Sequence, residues 1–217
     1  MKGPSLIKVG VLDYGMGNLR SVEKALVSAG AETFVSDDIR VLSNADLLVV
    51  PGVGAFDAAM NVLRQKKLDV FLRDWIKAGR PYFGICLGLQ LLFESSEEAP
   101  GVRGLGVLKG RVVKFRLSDR RLKIPHMGWN EVRPRGSCSS EGKGLLPASA
   151  YFYFVHSYFP RPTKKSVVWA TTPYGNEFCS AVAHGTLMAT QFHPEKSGPT
   201  GLRFLKELLR RVSKKKR

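Results

Sequence analysis

Apolar and polar positions follow two different rhythms along this chain. In the first half, short apolar runs alternate with stretches of helical spacing. Residues 6–12 form an apolar run that ends in the turn-rich Asp13-Tyr14-Gly15-Met16-Gly17. Residues 18–29 place Leu19, Val22, Ala25, Leu26 and Ala29 on one face of a helix. Residues 31–35 read as a second strand, and residues 47–50 as a third, stopped by Pro51-Gly52. Helical spacing returns over residues 55–78, with a break near Lys66-Lys67. A fourth strand over 81–85 leads into a helix over 87–94. Buried strands alternating with helices predict a mostly parallel sheet covered on both faces.

The second half is built from shorter units. Residues 111–115, 130–133, 151–156, 167–171, 178–183 and 187–191 read as strands separated by turn residues, which predicts antiparallel pairing. Residues 136–144 are polar and glycine-rich, the composition of a mobile loop. A closing helix over 201–212 puts Leu202, Leu205, Leu208 and Leu209 on one side. The expectation is one α/β domain over residues 1–217, ending in a basic tail at 213–217.

Composition narrows the setting. The chain has 217 residues, 44% of them hydrophobic, so it is long enough to bury a core without disulfides or a structural metal. No apolar run reaches bilayer length and no secretory leader opens the chain, so the expected setting is the cytoplasm, with no membrane association. The three cysteines, Cys86, Cys138 and Cys179, form no CxxC pair and no metal-ligand spacing, so neither a metal nor a cofactor is expected. The formal net charge is +16, gathered at residues 116–123, 161–165 and 214–217. A solvated basic surface accounts for it most simply, and an acidic protein partner comes next. No aromatic RNA-reading motif or zinc finger accompanies the charge, so nucleic-acid function is not expected.

One pentapeptide points to chemistry. Gly84-Ile85-Cys86-Leu87-Gly88 sits where a buried strand gives way to a helix. In a tight G-x-nucleophile-x-G turn, side chains at the flanking positions would strike strand or helix, which glycine avoids. The turn lifts the sulfur to the C-terminal edge of the strands, where open α/β sheets bind ligands. The following helix start favours thiolate, and the Leu87 N–H is free to meet a developing oxyanion.

A thiol nucleophile needs a base, and His193-Pro194-Glu195 follows the last strand. Proline biases His193 towards an extended conformation, so His193 and Glu195 can project to the same side. A carboxylate on one ring nitrogen then fixes the tautomer and leaves the other nitrogen for the sulfur. Gly52-Val53-Gly54 closes the third strand, and its N–H groups can supply a second oxyanion donor. Peptide turns beside glycine are cheap, so that loop can switch between two arrangements.

These residues resemble the class I glutamine amidotransferases, a family with a Cys/His/Glu triad. GICLGLQLLFE and QFHPEKS resemble its two signature blocks. DYGMGNLRSV, LLVVPGVGAF, SSEEAPGVRGLG, PHMGWN and YFYFVHSY resemble, within that family, the glutaminase subunits of imidazole glycerol phosphate synthases. The resemblance implies the family's three-layer fold and a Cys86, His193, Glu195 triad that hydrolyses L-glutamine to glutamate and ammonia. It implies an oxyanion site at Leu87 and residues 52–54. Gln90 and Glu98 would hold the glutamine beside the backbone of His156, Ser157 and Tyr158. It also implies a heterodimer with a (β/α)8-barrel cyclase subunit of histidine biosynthesis. That partner would receive the ammonia and form imidazole glycerol phosphate and an aminoimidazole carboxamide ribonucleotide. It would face Asn18 and the segment His126, Met127, Gly128, Trp129 and Asn130. Plainer readings stand beside these: Gln90 as a solvent-facing residue, Glu98 as one more acidic loop residue, and Trp129 in a loop that lids the core.

Overall fold

The computed structural model describes residues 6–135 and 144–215. The expected loop over 136–144 lies, but for Gly144, outside the described residues, as does the end of the basic tail. In chain order the strands are β1 (Lys8–Leu12), β2 (Glu32–Ser36), β3 (Leu47–Gly52), β4 (Tyr82–Cys86), β5 (Ser95–Ser96) and β6 (Gly110–Lys114). They continue with β7 (His126–Pro134), β8 (Ala150–His156), β9 (Tyr158–Pro162), β10 (Val168–Tyr174), β11 (Asn176–His184) and β12 (Leu187–Thr190). The helices are α1 (Leu19–Ser28), α2 (Ile39–Leu42), α3 (Phe56–Gln65), α4 (Leu68–Lys77), α5 (Leu87–Gln90) and α6 (Gly198–Lys215).

Among the described residues the main sheet has nine strands in the order β2-β1-β3-β4-β12-β11-β10-β7-β8. From β2 to β12 the pairings are parallel, and from β12 to β8 they are antiparallel. The central strands β3, β4 and β12 are buried along their whole length, which is why they read as continuous apolar runs. One apolar layer holds Val22 and Leu26 of α1 with Phe204, Leu205 and Leu208 of α6. The opposite layer holds Phe56, Met60 and Leu63 of α3 with Leu68, Leu72 and Trp75 of α4. The fold is therefore three-layered α/β.

Four details depart from the sequence pattern. Helix α5 stops at Gln90 instead of running to Glu94. Leu91, Leu92 and Phe93 are all fully buried, so no polar face is left for a surface helix. The carbonyls of Leu91, Leu92 and Phe93 instead accept bonds from the N–H groups of Leu105, Leu108 and Gly106. A small second sheet, β5-β6-β9, also went unread. Its strand β9 carries Pro160 and Pro162, which disguise it, and it lies at that sheet's edge, where proline is tolerated. The short helix α2 showed no apolar period to read.

The strand expected over 130–133 starts earlier: β7 begins at His126, so the stretch around Trp129 is strand, not loop. It pairs residue by residue with β8 from His126↔His156 to Val132↔Ala150. Its side chains therefore alternate: His126 is buried, while Met127 and Trp129 are 62% and 56% exposed. Trp129 is no lid over the core.

Candidate active site

The turn at Cys86 is built by exclusion. Cys86 ends β4 with φ 54° and ψ −105°, a left-handed conformation that costs a non-glycine residue about 1–3 kcal/mol. Its flanks explain why it persists. A Cβ on Gly84 would lie 2.7 Å from the Gly88 carbonyl oxygen, and one on Gly88 would lie 1.9 Å from the Val50 carbonyl oxygen. Only glycine at both positions lets α5 start this close to β3 and β4. The helix that follows is a single turn, so the long-range dipole expected from the sequence is weak here. What remains is local: the Leu87 N–H opens α5 and has no carbonyl one turn back.

His193 comes beside the Cys86 sulfur because β12 lies beside β4. Their parallel register pairs Ala189 with Gly84 and Thr190 with Ile85, so both chains leave the sheet at one rim. A 3-10 turn over Pro194–Lys196 follows at once and folds Glu195 back onto His193. His193 Nδ1 lies 2.8 Å from Glu195 Oε1, and both side chains are 3% exposed. Backbone contacts hold the ring: the His193 N–H donates to the Tyr153 carbonyl at 2.9 Å, and Ser197 Oγ donates to the His193 carbonyl at 2.6 Å.

The carboxylate accepts from Nδ1–H, so Nε2 is the ring nitrogen left for the sulfur. It is buried and has no hydrogen-bond partner among the described residues. Burial alone would lower the His193 pKa. The charge of the neighbouring Cys86 sulfur and the Glu195 carboxylate outweigh burial and raise it to about 10. The imidazolium is thus stabilised beside the sulfur, the arrangement a thiolate–imidazolium pair requires.

In front of Cys86 lies a cavity of about 290 Å³ lined by Val53, Gly54, Leu87, Gln90, Glu98, Pro125, Val155, His156, Ser157 and Tyr158. The structure thus gathers the expected oxyanion loop and every residue expected to bind substrate, with Gly52 just behind at the end of β3. Gln90 does not face solvent. Its Nε2 donates to the Tyr158 carbonyl at 3.0 Å and to Gln191 Oε1 at 3.2 Å. Both amide hydrogens are used, so only an acceptor remains to Gln90. Glu98 is also more than a loop acid: its Oε2 accepts the Phe56 N–H at 3.1 Å at the start of α3, where Ala55 offers no side-chain cap. Burial raises its pKa, against that bond.

A larger cleft, about 440 Å³, lies elsewhere between β6, β9 and the β10–β11 hairpin. It holds Cys179, whose thiol donates to the Ala181 carbonyl, and no histidine lines it. Size is outweighed here by chemistry.

The residues expected to face a partner divide. Asn18 is exposed and caps α1, its Oδ1 accepting the Ser21 N–H at 3.2 Å. Met127 and Trp129 stand outward, whereas the His126 ring is 3% exposed and faces inward. A directed chain of hydrogen bonds explains that burial. Asn130 Nδ2 lies 3.1 Å from His126 Nε2, and His126 Nδ1 lies 3.0 Å from His156 Nε2. His156 Nδ1 then lies 2.8 Å from the Tyr158 carbonyl. A carbonyl only accepts, so each ring carries its proton on Nδ1 and both are neutral. Burial agrees, pushing His126 down to about 4 and His156 to about 3.

Three contributors escaped the sequence reading. Gln191 is fully buried and donates from Nε2 towards Cys86 Sγ at 3.5 Å. Ser197 braces the His193 carbonyl, as above. Both stood inside QFHPEKS, whose polar residues flanking the histidine were the available signal. Tyr14, inside DYGMGN, is wholly buried with an unpartnered hydroxyl among the described residues.

The glutamine amidotransferase class-I family model matches residues 10–212. The imidazole glycerol phosphate synthase subunit HisH of Rhodopirellula baltica is 49% identical over 195 residues, covering 90% of this chain and 93% of that one. The HisH subunit of Aquifex aeolicus is also 49% identical, over 205 residues, covering 94% and 97%. A solved glutamine amidotransferase superposes with a TM-score of 0.71 at 24% identity, covering 93% of this chain and 98% of that one. That last likeness is one of fold.

Proposed function

The chain belongs to the class-I glutamine amidotransferases and, among them, to the family of imidazole glycerol phosphate synthase HisH subunits, and we propose that Cys86, His193 and Glu195 are the triad of its glutaminase. It is the glutaminase subunit of that synthase, in histidine biosynthesis. The observation that carries the assignment of the triad is the convergence of β4 and β12, which sets a strained cysteine beside a buried, carboxylate-braced imidazole.

The chemistry follows from these positions. The Cys86 thiolate attacks the side-chain carbonyl carbon of glutamine, and the oxygen takes the negative charge against the Leu87 N–H and an N–H of residues 53–54. His193 Nε2–H gives its proton to the departing nitrogen, and ammonia leaves a glutamyl thioester. Water then attacks the thioester carbonyl while His193 takes its proton, releasing glutamate and restoring the thiolate. Gln90 Oε1 and the Glu98 carboxylate, acceptors in the cavity, suit the α-ammonium of the substrate.

The cyclase subunit of the synthase is the partner, a (β/α)8 barrel seated on the outer face of β7 and β8, where Met127, Trp129 and Tyr151 stand exposed. That face borders the glutamine cavity through Pro125 and Val155, so ammonia need not cross open water. The single domain spans residues 1–217, the complex works in the cytoplasm, and the basic surface serves solubility or partner attraction. The experiment is glutamate release from glutamine by the chain alone and then titrated with its cyclase. Release should rise with the partner and vanish in Cys86→Ala. Release that persists in that variant would contradict the assignment.

A further inference from the structure

Tyr14 presents a buried hydroxyl to which the reaction above gives no task. The residue is 0% exposed, and its Oη has no hydrogen-bond partner among the described residues. An orphaned buried hydroxyl is costly, which favours any arrangement of the molecule that gives it a partner. Its neighbour identifies that partner. A Cβ built on Gly52 would lie 2.2 Å from Tyr14 Oη, so the hydroxyl rests directly against the Gly52 backbone. On another side the same glycine meets Gly17, where an added Cβ would lie 3.5 Å from the Gly52 N and Cα. The glycine-bounded peptide between residues 52 and 53 is therefore held closely at Gly52, while Val53, 41% exposed, and Gly54, with φ 106°, leave its far side free to turn.

A peptide that turns about its flanking Cα atoms moves its N–H and C=O in opposite directions. Val53 and Gly54 line the glutamine cavity, so pointing the Val53 N–H at a developing oxyanion sends the Gly52 carbonyl towards the interior. A carbonyl buried there needs a donor. The Tyr14 hydroxyl is uncommitted, and it lies against that carbonyl's own Cα. The sulfur does not compete for it, since no bond joins Tyr14 to Cys86, while burial, helped by the charge of Cys86, disfavours the phenolate and keeps the O–H a donor.

We propose that Tyr14 is a positioning residue for the oxyanion site: its hydroxyl receives the Gly52 carbonyl when the 52–53 peptide turns, and so holds the Val53 N–H towards the reacting carbonyl. The inference rests on the triad reading above. It adds that the Tyr14 hydroxyl, unpartnered among the described residues, gains its acceptor in the working state.

Tyr14→Phe tests this, because it removes the oxygen and keeps the ring. With the cyclase present, kcat for glutamine hydrolysis should fall at least tenfold while KM changes less than twofold. The thermal midpoint of the isolated chain should stay level or rise, since an orphaned polar group is lost. Alkylation of Cys86 by iodoacetamide forms no oxyanion, so its rate should stay within twofold of the parent. Unchanged kcat, or a loss of kcat matched by lower thermal stability and slower alkylation, overturns the proposal. A parent protein that releases no glutamate would instead sink the triad reading, and the two failures are told apart.

Discussion

At the scale of single residues, the site turns on what surrounds one imidazole. His193 carries a raised pKa because the Cys86 sulfur and Glu195 outweigh its burial. The charged ring therefore adds stability that is fully present below the unfolded pKa of 6.5 and is lost as pH rises towards about 10. Glu195→Gln removes one of the raising partners while keeping the shape. Its glutaminase kcat should drop by roughly 10²-fold or more, and the alkaline limb of the pH profile should move to lower pH. A steady-state pH profile of the two proteins checks both. An unmoved limb would mean that the carboxylate does not set the proton affinity of the base. The Gln191 amide, donating to the same sulfur, shows how a neutral residue joins a charged site.

At the scale of elements, the buried pair across β7 and β8 makes a second prediction about protons. His126 and His156 are neutral when folded but take up protons when unfolded near their ordinary value of 6.5. Folding is therefore disfavoured as pH falls from about 6.5 towards 4, by up to about 1.4 kcal/mol per pH unit for each ring. Urea unfolding at pH 7 and at pH 5 measures this, and equal midpoints would contradict the neutral assignment. The same elements show what the sequence disclosed. Strands β1, β3, β4 and β12 and helices α1, α3 and α4 announced themselves by apolar runs or helical periods. The strand–helix turn at Cys86 was legible because glycine is required on both sides of it. Helix α5 misled because its continuation is buried on all sides and has no period. Strand β9 hid behind its prolines, and the start of β7 behind Pro125 and Gly128, because pairing with β8 is a long-range fact that no local pattern records. The hydroxyl of Tyr14 and the amide of Gln191 matter through neighbours distant in the chain, so their motifs could mark them but not assign them work.

At the scale of the whole molecule, function depends on one topological event. The chain builds β1, β3 and β4, leaves through the antiparallel region, and returns to lay β12 against β4. That return sets an imidazole from one end of the sequence beside a thiol from its middle. It also puts the outer face of β7 and β8 next to the cavity they form. The most direct measurement is covalent labelling with an electrophilic chloroketone analogue of glutamine, read by peptide mass mapping. A single adduct should appear on Cys86, compete away with glutamine, and form far more slowly in His193→Asn. Labelling that spreads evenly over Cys86, Cys138 and Cys179, or that ignores glutamine and the loss of His193, would contradict the account.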